Sequence, residues 1–345
     1  MRPRDVEDLI HHVLDRKEHT PIFIWGPPGV GKSSSVKAVA TDRGIALIDV
    51  RMSQKDPTDL RGIQVPDNGT AKWLIPAFLP NVVRDGEEGI LFLDEINAAP
   101  PLVQTAGYQL IFDRRIGEYV LPPGWTIIAA GNRAGDRAVV HRLSKALANR
   151  FATHIDYGEG YCTAEATASP GDLEDWRDWA VVKGIRPEII SFMLFRPELL
   201  FKFQPEKDDQ AFPTPRTWEY ASSWLNLPRN MLSEVMCGCV GDGAGGEFMA
   251  YLDVYGRIPD IDRILAGGTS MPNEKDLLFA TTTALATRAE QKHLNHVFKY
   301  STKLPAEFAV LLMKMLLTRF DKQAIAKVPS FAADWMPLFQ DLLMD

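Results

Sequence analysis

The sequence predicts an α/β fold: a parallel five-stranded sheet with flanking helices, followed by an all-α second half. Three observations predict it. Apolar runs recur between helix-forming stretches, at Ile22–Trp25, Ile45–Val50, Gly89–Leu93 and Trp125–Ala130, with a shorter run near 153–156. Strands alternating with helices give βαβ units and hence parallel pairing. A glycine-rich loop at 26–33 joins the first run to a helix, and from Gly158 onward the pattern is helical with no clear strand.

Taken in order, a helix is expected near 4–16, then strand 21–25, helix 32–42 and strand 45–50. Residues 56–83 interrupt what would be one helix, and Pro66-Asp67-Asn68-Gly69-Thr70 reads as a hairpin turn between strands Ile63–Val65 and Ala71–Leu74. Strand 89–93 and helix 101–112 follow. A second hairpin is expected from Arg115 to Ala130, with Ile116–Val120 as its first arm and Pro122-Pro123-Gly124 as its turn. Helix 143–149 and a strand at 153–156 close this part. Ser169-Pro170-Gly171-Asp172 resembles a capping-box start to helix 170–183. Helices near 187–200, 215–225, 231–239, 244–255, 274–290, 291–300, 305–319 and 331–343 complete the chain.

The loop Gly26-Pro27-Pro28-Gly29-Val30-Gly31-Lys32-Ser33 fits G-x-x-x-x-G-K-[ST] in the strand–loop–helix setting that makes it a phosphate site. Glycines let backbone N–H groups close around phosphates, and the following helix, with Ser34 in its first turn, adds partial positive charge at its N-terminus. Lys32 supplies charge for the β- and γ-phosphates, and Ser33 a hydroxyl for Mg²⁺. The run Ile90-Leu91-Phe92-Leu93 suits a strand buried on both faces, ending in Asp94 for the metal and Glu95 to polarise water. Asn132, just past the Trp125–Ala130 strand, carries donors and an acceptor that suit a γ-phosphate and an attacking water.

In this order, Gly26–Ser33, Leu91–Glu95 and Asn132 resemble Walker A, Walker B and sensor 1 of the AAA+ ATPases. Leu143–Phe151 is similar to the helix that ends in an arginine finger, and Phe212–Glu219 to the start of a sensor 2 helix. The set is most similar to the MoxR-type branch of the helix-2-insert clade, over about residues 5–257. The resemblance implies a P-loop AAA+ core over 1–158, a helical lid over 159–257 and a helical C-terminal extension over 258–345, with ATP and Mg²⁺ bound. It implies that Arg150 completes a neighbouring subunit's site, with Arg142 and Arg133 as alternative fingers, and that Arg216 reads the γ-phosphate. Thr214 as N-cap and Pro215 at the first position put Arg216 in a first helical turn, where a positive charge opposes the dipole unless an anion, or Glu219, compensates. Both hairpins are similar to insertions that face a ring's pore or one of its faces, surface decoration being the alternative.

The resemblance further implies a ring, by family habit a hexamer, that remodels a protein partner. Members of that branch often act with a partner bearing a von Willebrand factor A domain. The alternative is a nucleic-acid motor or loader, with Arg114, Arg115 and Lys72 as basic candidates and Trp73, Ile75 and Tyr119 as the rival protein-contacting tips. A net charge of −7 speaks against a general nucleic-acid surface. A small-molecule kinase would leave Arg150, Asn132 and Arg216 together unexplained. The first residues hold no apolar signal core, and no apolar run approaches the ~18 residues of a membrane span. Cys162, Cys237 and Cys239 make no disulfide framework, which suits a cytoplasmic protein, and Cys237-x-Cys239 lacks a second pair at zinc spacing.

Overall fold

Five parallel strands carry the first part of the chain: β1 (Ile22–Trp25), β2 (Ala46–Arg51), β5 (Glu88–Asp94), β8 (Gly124–Gly131) and β9 (Thr153–Asp156). In this computed structural model they lie in the order β2-β5-β8-β1-β9. The description covers residues 1–16, 20–133, 141, 143–161, 167–204, 206, 209–339 and 341. The three inner strands are the apolar runs, and Phe23, Ile24, Ile90, Leu91, Phe92 and Ile128 are completely buried. That burial on both faces is why they read as unbroken hydrophobic stretches. The outer strands β2 and β9 are mostly half-buried or exposed. Helices α1 (Pro3–Leu14), α2 (Lys32–Arg43), α3 (Pro57–Arg61), α4 (Val82–Asp85), α5 (Pro101–Asp113) and α6 (Lys145–Ala148) flank the sheet or join its strands.

Parallel register sets the carboxyl ends of β1, β5 and β8 along one edge, with Trp25 beside Gly131 and Leu93 beside Ala129. The loops leaving those ends carry the phosphate-loop residues, Glu95 and Asn132. That is where open α/β sheets place their ligands.

Two hairpins stand apart from the sheet. In the first, β3 (Ile63–Asp67) pairs antiparallel with β4 (Thr70–Leu74), Asp67 opposite Thr70. Its two-residue loop, Asn68 and Gly69, has φ of 46° and 82°, the doubly positive pair that Asn-Gly tolerates. The second differs from expectation. It closes between β6 (Arg115–Ile116) and β7 (Tyr119–Val120) over Gly117-Glu118. Pro122-Pro123-Gly124 is not its turn but the entry to β8, which pairs in the main sheet.

The chain divides into two compact units, Met1–Ser169 with Gln204–Lys207, and Pro170–Phe203 with Asp208–Asp345. Among its described residues the second unit holds no strand. Its helices are α7 (Pro170–Lys183), α8 (Pro187–Phe195), α9 (Pro215–Ser223), α10 (Arg229–Val240), α11 (Asp242–Tyr255), α12 (Ile261–Leu265), α13 (Lys275–Arg288), α14 (Leu294–Ser301), α15 (Ala306–Leu317), α16 (Lys322–Ala326) and α17 (Met336–Phe339). Phe192 packs against Trp218, Phe248 and Tyr251 with ring centroids 5.2–5.7 Å apart. Burial pushes the phenol groups of Tyr251 and Tyr255 well above their ordinary range. Cys237 and Cys239 are free thiols on α10, and Cys162 lies outside the described residues. Among the described residues no helix is long and apolar enough to cross a membrane.

Candidate functional site

The phosphate loop turns out of β1 through Gly29 and Gly31, whose φ values of 79° and 112° lie where a side chain would be strained. Gly31 caps α2, so Lys32, Ser33 and the exposed Ser34 open the helix and their N–H groups have no intrahelical acceptor. Gly26, Pro27, Gly29 and Val30 are buried, and Pro28 and Gly31 half-buried. Behind the loop, Tyr157 Oη lies 2.8 Å from Ser35 Oγ, which donates to Glu7 on α1 at 2.7 Å. A Cβ on Gly31 would come within 3.1 Å of that phenol oxygen, so the tyrosine backs the curve of the loop.

Lys32 is 8% exposed, and its ammonium donates to the Gly26 and Pro27 carbonyls at 2.6 and 2.8 Å and to Asn132 Oδ1 at 3.0 Å. Ser33 Oγ donates to Asp94 Oδ2 at 2.9 Å, while Asp94 Oδ1 accepts from the Glu95 N–H at 2.9 Å. Glu95 has φ of 54°, uncommon for a residue other than glycine and a bend that takes it off the line of β5. Its Oε2 accepts from Ser53 Oγ at 2.5 Å. Asn97, two residues on, donates to the Asn132 carbonyl at 2.5 Å. Partial burial, and then the Asp94 carboxylate, push the Asp49 carboxyl above the usual carboxylate range.

Lys32 is thus brought against Asn132 and Ser33 against Asp94, and Glu95 adjoins Asp94. The donor set fits Mg²⁺-nucleotide: a hydroxyl and a carboxylate 2.9 Å apart are the hard oxygens that magnesium takes. Ser33 and Asp94 would hold such an ion, which would supply positive charge toward bound phosphate. Lys32 is held beside the loop by the Gly26 and Pro27 carbonyls. Glu95 is a carboxylate able to accept a proton from water, restrained here by Ser53.

The arginines lie elsewhere. Arg150 follows α6, between buried Leu147 and Phe151. Its guanidinium sits 4.8 Å from the Tyr108 ring and 5.8 Å from Phe112, with Nη1 donating to the Ala146 carbonyl at 2.6 Å. None of these partners belongs to the Lys32–Asp94–Asn132 cluster. Arg133 is ion-paired with Asp156, and Arg142 lies outside the described residues. Arg216 belongs to the second unit, exposed in the first turn of α9, where Thr214 caps the helix and Pro215 holds the first position. Glu219 pairs with Lys183 at 3.7 Å, so it does not supply the local anion for Arg216.

Two of the expected contact residues are placed differently. Tyr119 is 7% exposed and donates from its hydroxyl to the Pro80 carbonyl at 2.8 Å, so it is an anchor rather than a tip. Arg114 points its Nη2 at the Pro122, Pro123 and Trp125 carbonyls at 2.9, 3.3 and 2.6 Å, and burial lowers its pKa. It is a brace, not a free basic group. Arg115 and Lys72 are exposed. Ser53 and Asn97 carried no local signal in the sequence. Ser53 reaches Glu95 because Arg51 pairs with Asp94 across β2 and β5, a register fixed only by the sheet.

A phosphate loop, a buried carboxylate strand and this strand order define a P-loop nucleotide-binding unit. Residues 22–159 match the family model described as "ATPase family associated with various cellular activities (AAA)", and this segment is an AAA ATPase domain. Among curated proteins the chain is similar to a Midasin of Giardia intestinalis, 35% identical over 96 residues, or 28% of this chain and 2% of that one. A Midasin of Dictyostelium discoideum is 32% identical over 158 residues, 43% of this chain and 3% of that one. The chain therefore spans a few hundredths of the length of these relatives. Among solved structures, a RuvB variant from Thermotoga maritima covers 83% of each chain at 18% identity and a TM-score of 0.43.

Proposed function

We propose that the chain hydrolyses Mg-ATP and, as a ring of copies of MoxR type, uses the cycle to remodel or activate a protein partner. The observation that carries the hydrolytic part is that consecutive residues of the phosphate loop reach the ends of two other strands, Lys32 bonding Asn132 and Ser33 bonding Asp94. In this reading Lys32 and the loop hold the phosphates, Ser33 and Asp94 the metal, Glu95 polarises the attacking water and Asn132 contacts water and γ-phosphate. The ring is supported by Arg150, a helix-end arginine resting on Tyr108 and on Phe112, which is 67% exposed, and making no contact with its own chain's cluster. Service to a neighbour's γ-phosphate suits that position, and a sixfold ring with a von Willebrand factor A domain partner is the family-based extension. Arg216 would report the γ-phosphate to the second unit, acting as a lid.

Lys32→Ala is expected to abolish ATP binding, and Glu95→Gln to keep binding while lowering kcat by about 100-fold or more. Equal loss of binding in both would contradict these roles. Arg150→Ala should bind ATP without turning it over, and regain activity when mixed with Lys32→Ala subunits. Failure to recover in mixtures shown to exchange would remove the finger role from Arg150. The output is read by purifying Glu95→Gln protein with ATP and identifying what accompanies it. A protein supports the remodelling reading; DNA or RNA, with salt-sensitive stimulation of ATPase activity, supports the motor reading instead.

A further inference from the structure

We propose that Asn97 is a positioning residue that sets Asn132 against Glu95, an inference that rests on the hydrolytic reading above. Asn97 is 3% exposed and lies two residues beyond Glu95 in the turn that leaves β5. Its Nδ2 donates to the Asn132 main-chain carbonyl at 2.5 Å, and the adjacent Ile96 N–H donates to the Ala130 carbonyl at 3.2 Å. The turn carrying Glu95 is therefore stitched to the end of β8 by two consecutive residues. The Asn132 side chain accepts through Oδ1 from Lys32 Nζ at 3.0 Å. Asn132 is thus held at its main-chain carbonyl by Asn97 and at its side-chain oxygen by Lys32, which restricts its freedom to turn. The Asn97 carbonyl also accepts from the His141 N–H at 2.7 Å, tying the segment that leads toward Arg150 to the same turn.

Two further facts argue that this is more than packing. Asn97 Oδ1 is buried and has no hydrogen-bond partner among the described residues. An unpaired buried acceptor costs free energy, so among the described residues the favourable part of this amide is its donor, given to the Asn132 carbonyl. That oxygen also stands where a Cβ on Gly131 would lie 2.3 Å away, so glycine is what admits the close approach. Among the described residues the hydrogen bonds of Asn97 run to the Asn132 carbonyl and from the His141 N–H, and to none of Lys32, Ser33 or Asp94. Its effect runs through Asn132, as outer partners orient the groups that do the chemistry.

The test compares Asn97→Asp, nearly the same shape with the donor replaced by an acceptor, with wild type, Asn132→Ala and the double variant. Wild type must first hydrolyse ATP, and Glu95→Gln must be slower by about 100-fold or more; a failure there sinks the hydrolytic reading, while the exchange measurement still judges the contact. For Asn97→Asp we expect kcat to fall by about 10- to 100-fold, the range for removing an outer partner of a site residue. Affinity for a fluorescent ATP analogue should change less than about threefold, because the binding groups are intact. Amide hydrogen exchange in 126–133 should speed up, and the double variant should be no slower than Asn132→Ala alone, since the two residues act as a unit. Gly131→Ala, which drives a methyl into Asn97 Oδ1, should reproduce these effects without altering the donor and covers a failure of Asn97→Asp to fold. Unchanged exchange in 126–133, independent multiplication of the two kcat losses, or a kcat loss matched by equal loss of nucleotide affinity would overturn the proposal.

Discussion

The two hairpins of the first unit look alike in the sequence and are built oppositely. The β6–β7 hairpin is tied down: Ile116, Tyr119 and Leu121 are buried, the Tyr119 hydroxyl is bonded to Pro80, and Arg114 closes three carbonyls at its base. The β3–β4 hairpin is exposed along most of its length, only Val65 and Trp73 being half-buried, and Ile63 and Leu74, 69% and 54% exposed, pair across it. Its exposed large apolar side chains, Ile63 and Leu74, sit at its base, with Ile75 just beyond, while its tip is the polar Asp67-Asn68-Gly69-Thr70. One hairpin is part of the scaffold. The other presents hydrophobic surface that the rest of its unit leaves uncovered, which gives it the character of a contact element.

Substitutions can break or sharpen that contrast. Arg114→Ala should have the largest effect on stability, about 2–3 kcal/mol in chemical denaturation, because it strips a charged donor from three carbonyls. A loss below ~0.5 kcal/mol would mean that Arg114 is as free as a surface cation and would return it to the basic candidates. Tyr119→Phe should cost about 1 kcal/mol, the worth of one buried hydrogen bond. Ile63→Ser, Leu74→Ser and Ile75→Ser should each move stability by less than about 0.5 kcal/mol. Under the remodelling reading the same three should blunt the response of ATPase activity to a protein partner while basal hydrolysis stays unchanged. A hairpin that melts on losing Ile63 or Leu74 would be scaffold too, and the contrast would fail.

Much of this was legible because it is local. The inner strands announce themselves as buried apolar runs, and Asn68-Gly69 marks its own turn through a backbone preference. Lys32, Asp94 and Asn132 are each readable from the strand that precedes them. The second hairpin was misread because Pro122-Pro123-Gly124 is a louder turn signal than Gly117-Glu118, and two-residue strands have no periodicity to detect. The five-residue helices α12 and α16 went unnoticed for the same reason. Ser53 and Asn97 could not be found locally at all. Their partners are set by the register of β2 on β5 and by the approach of β8 to the turn after Glu95, which only the folded sheet defines.

That dependence has a kinetic consequence. The contacts that make the site join residues 61 apart, at Ser33 and Asp94, and 100 apart, at Lys32 and Asn132. Parallel pairings at such separations form late, after the loop-closure entropy of the intervening chain has been met. A ligand that needs all of them has nothing to grip on the way up. Saturating nucleotide should therefore leave the refolding rate of the first unit nearly unchanged and act almost wholly as a brake on its unfolding.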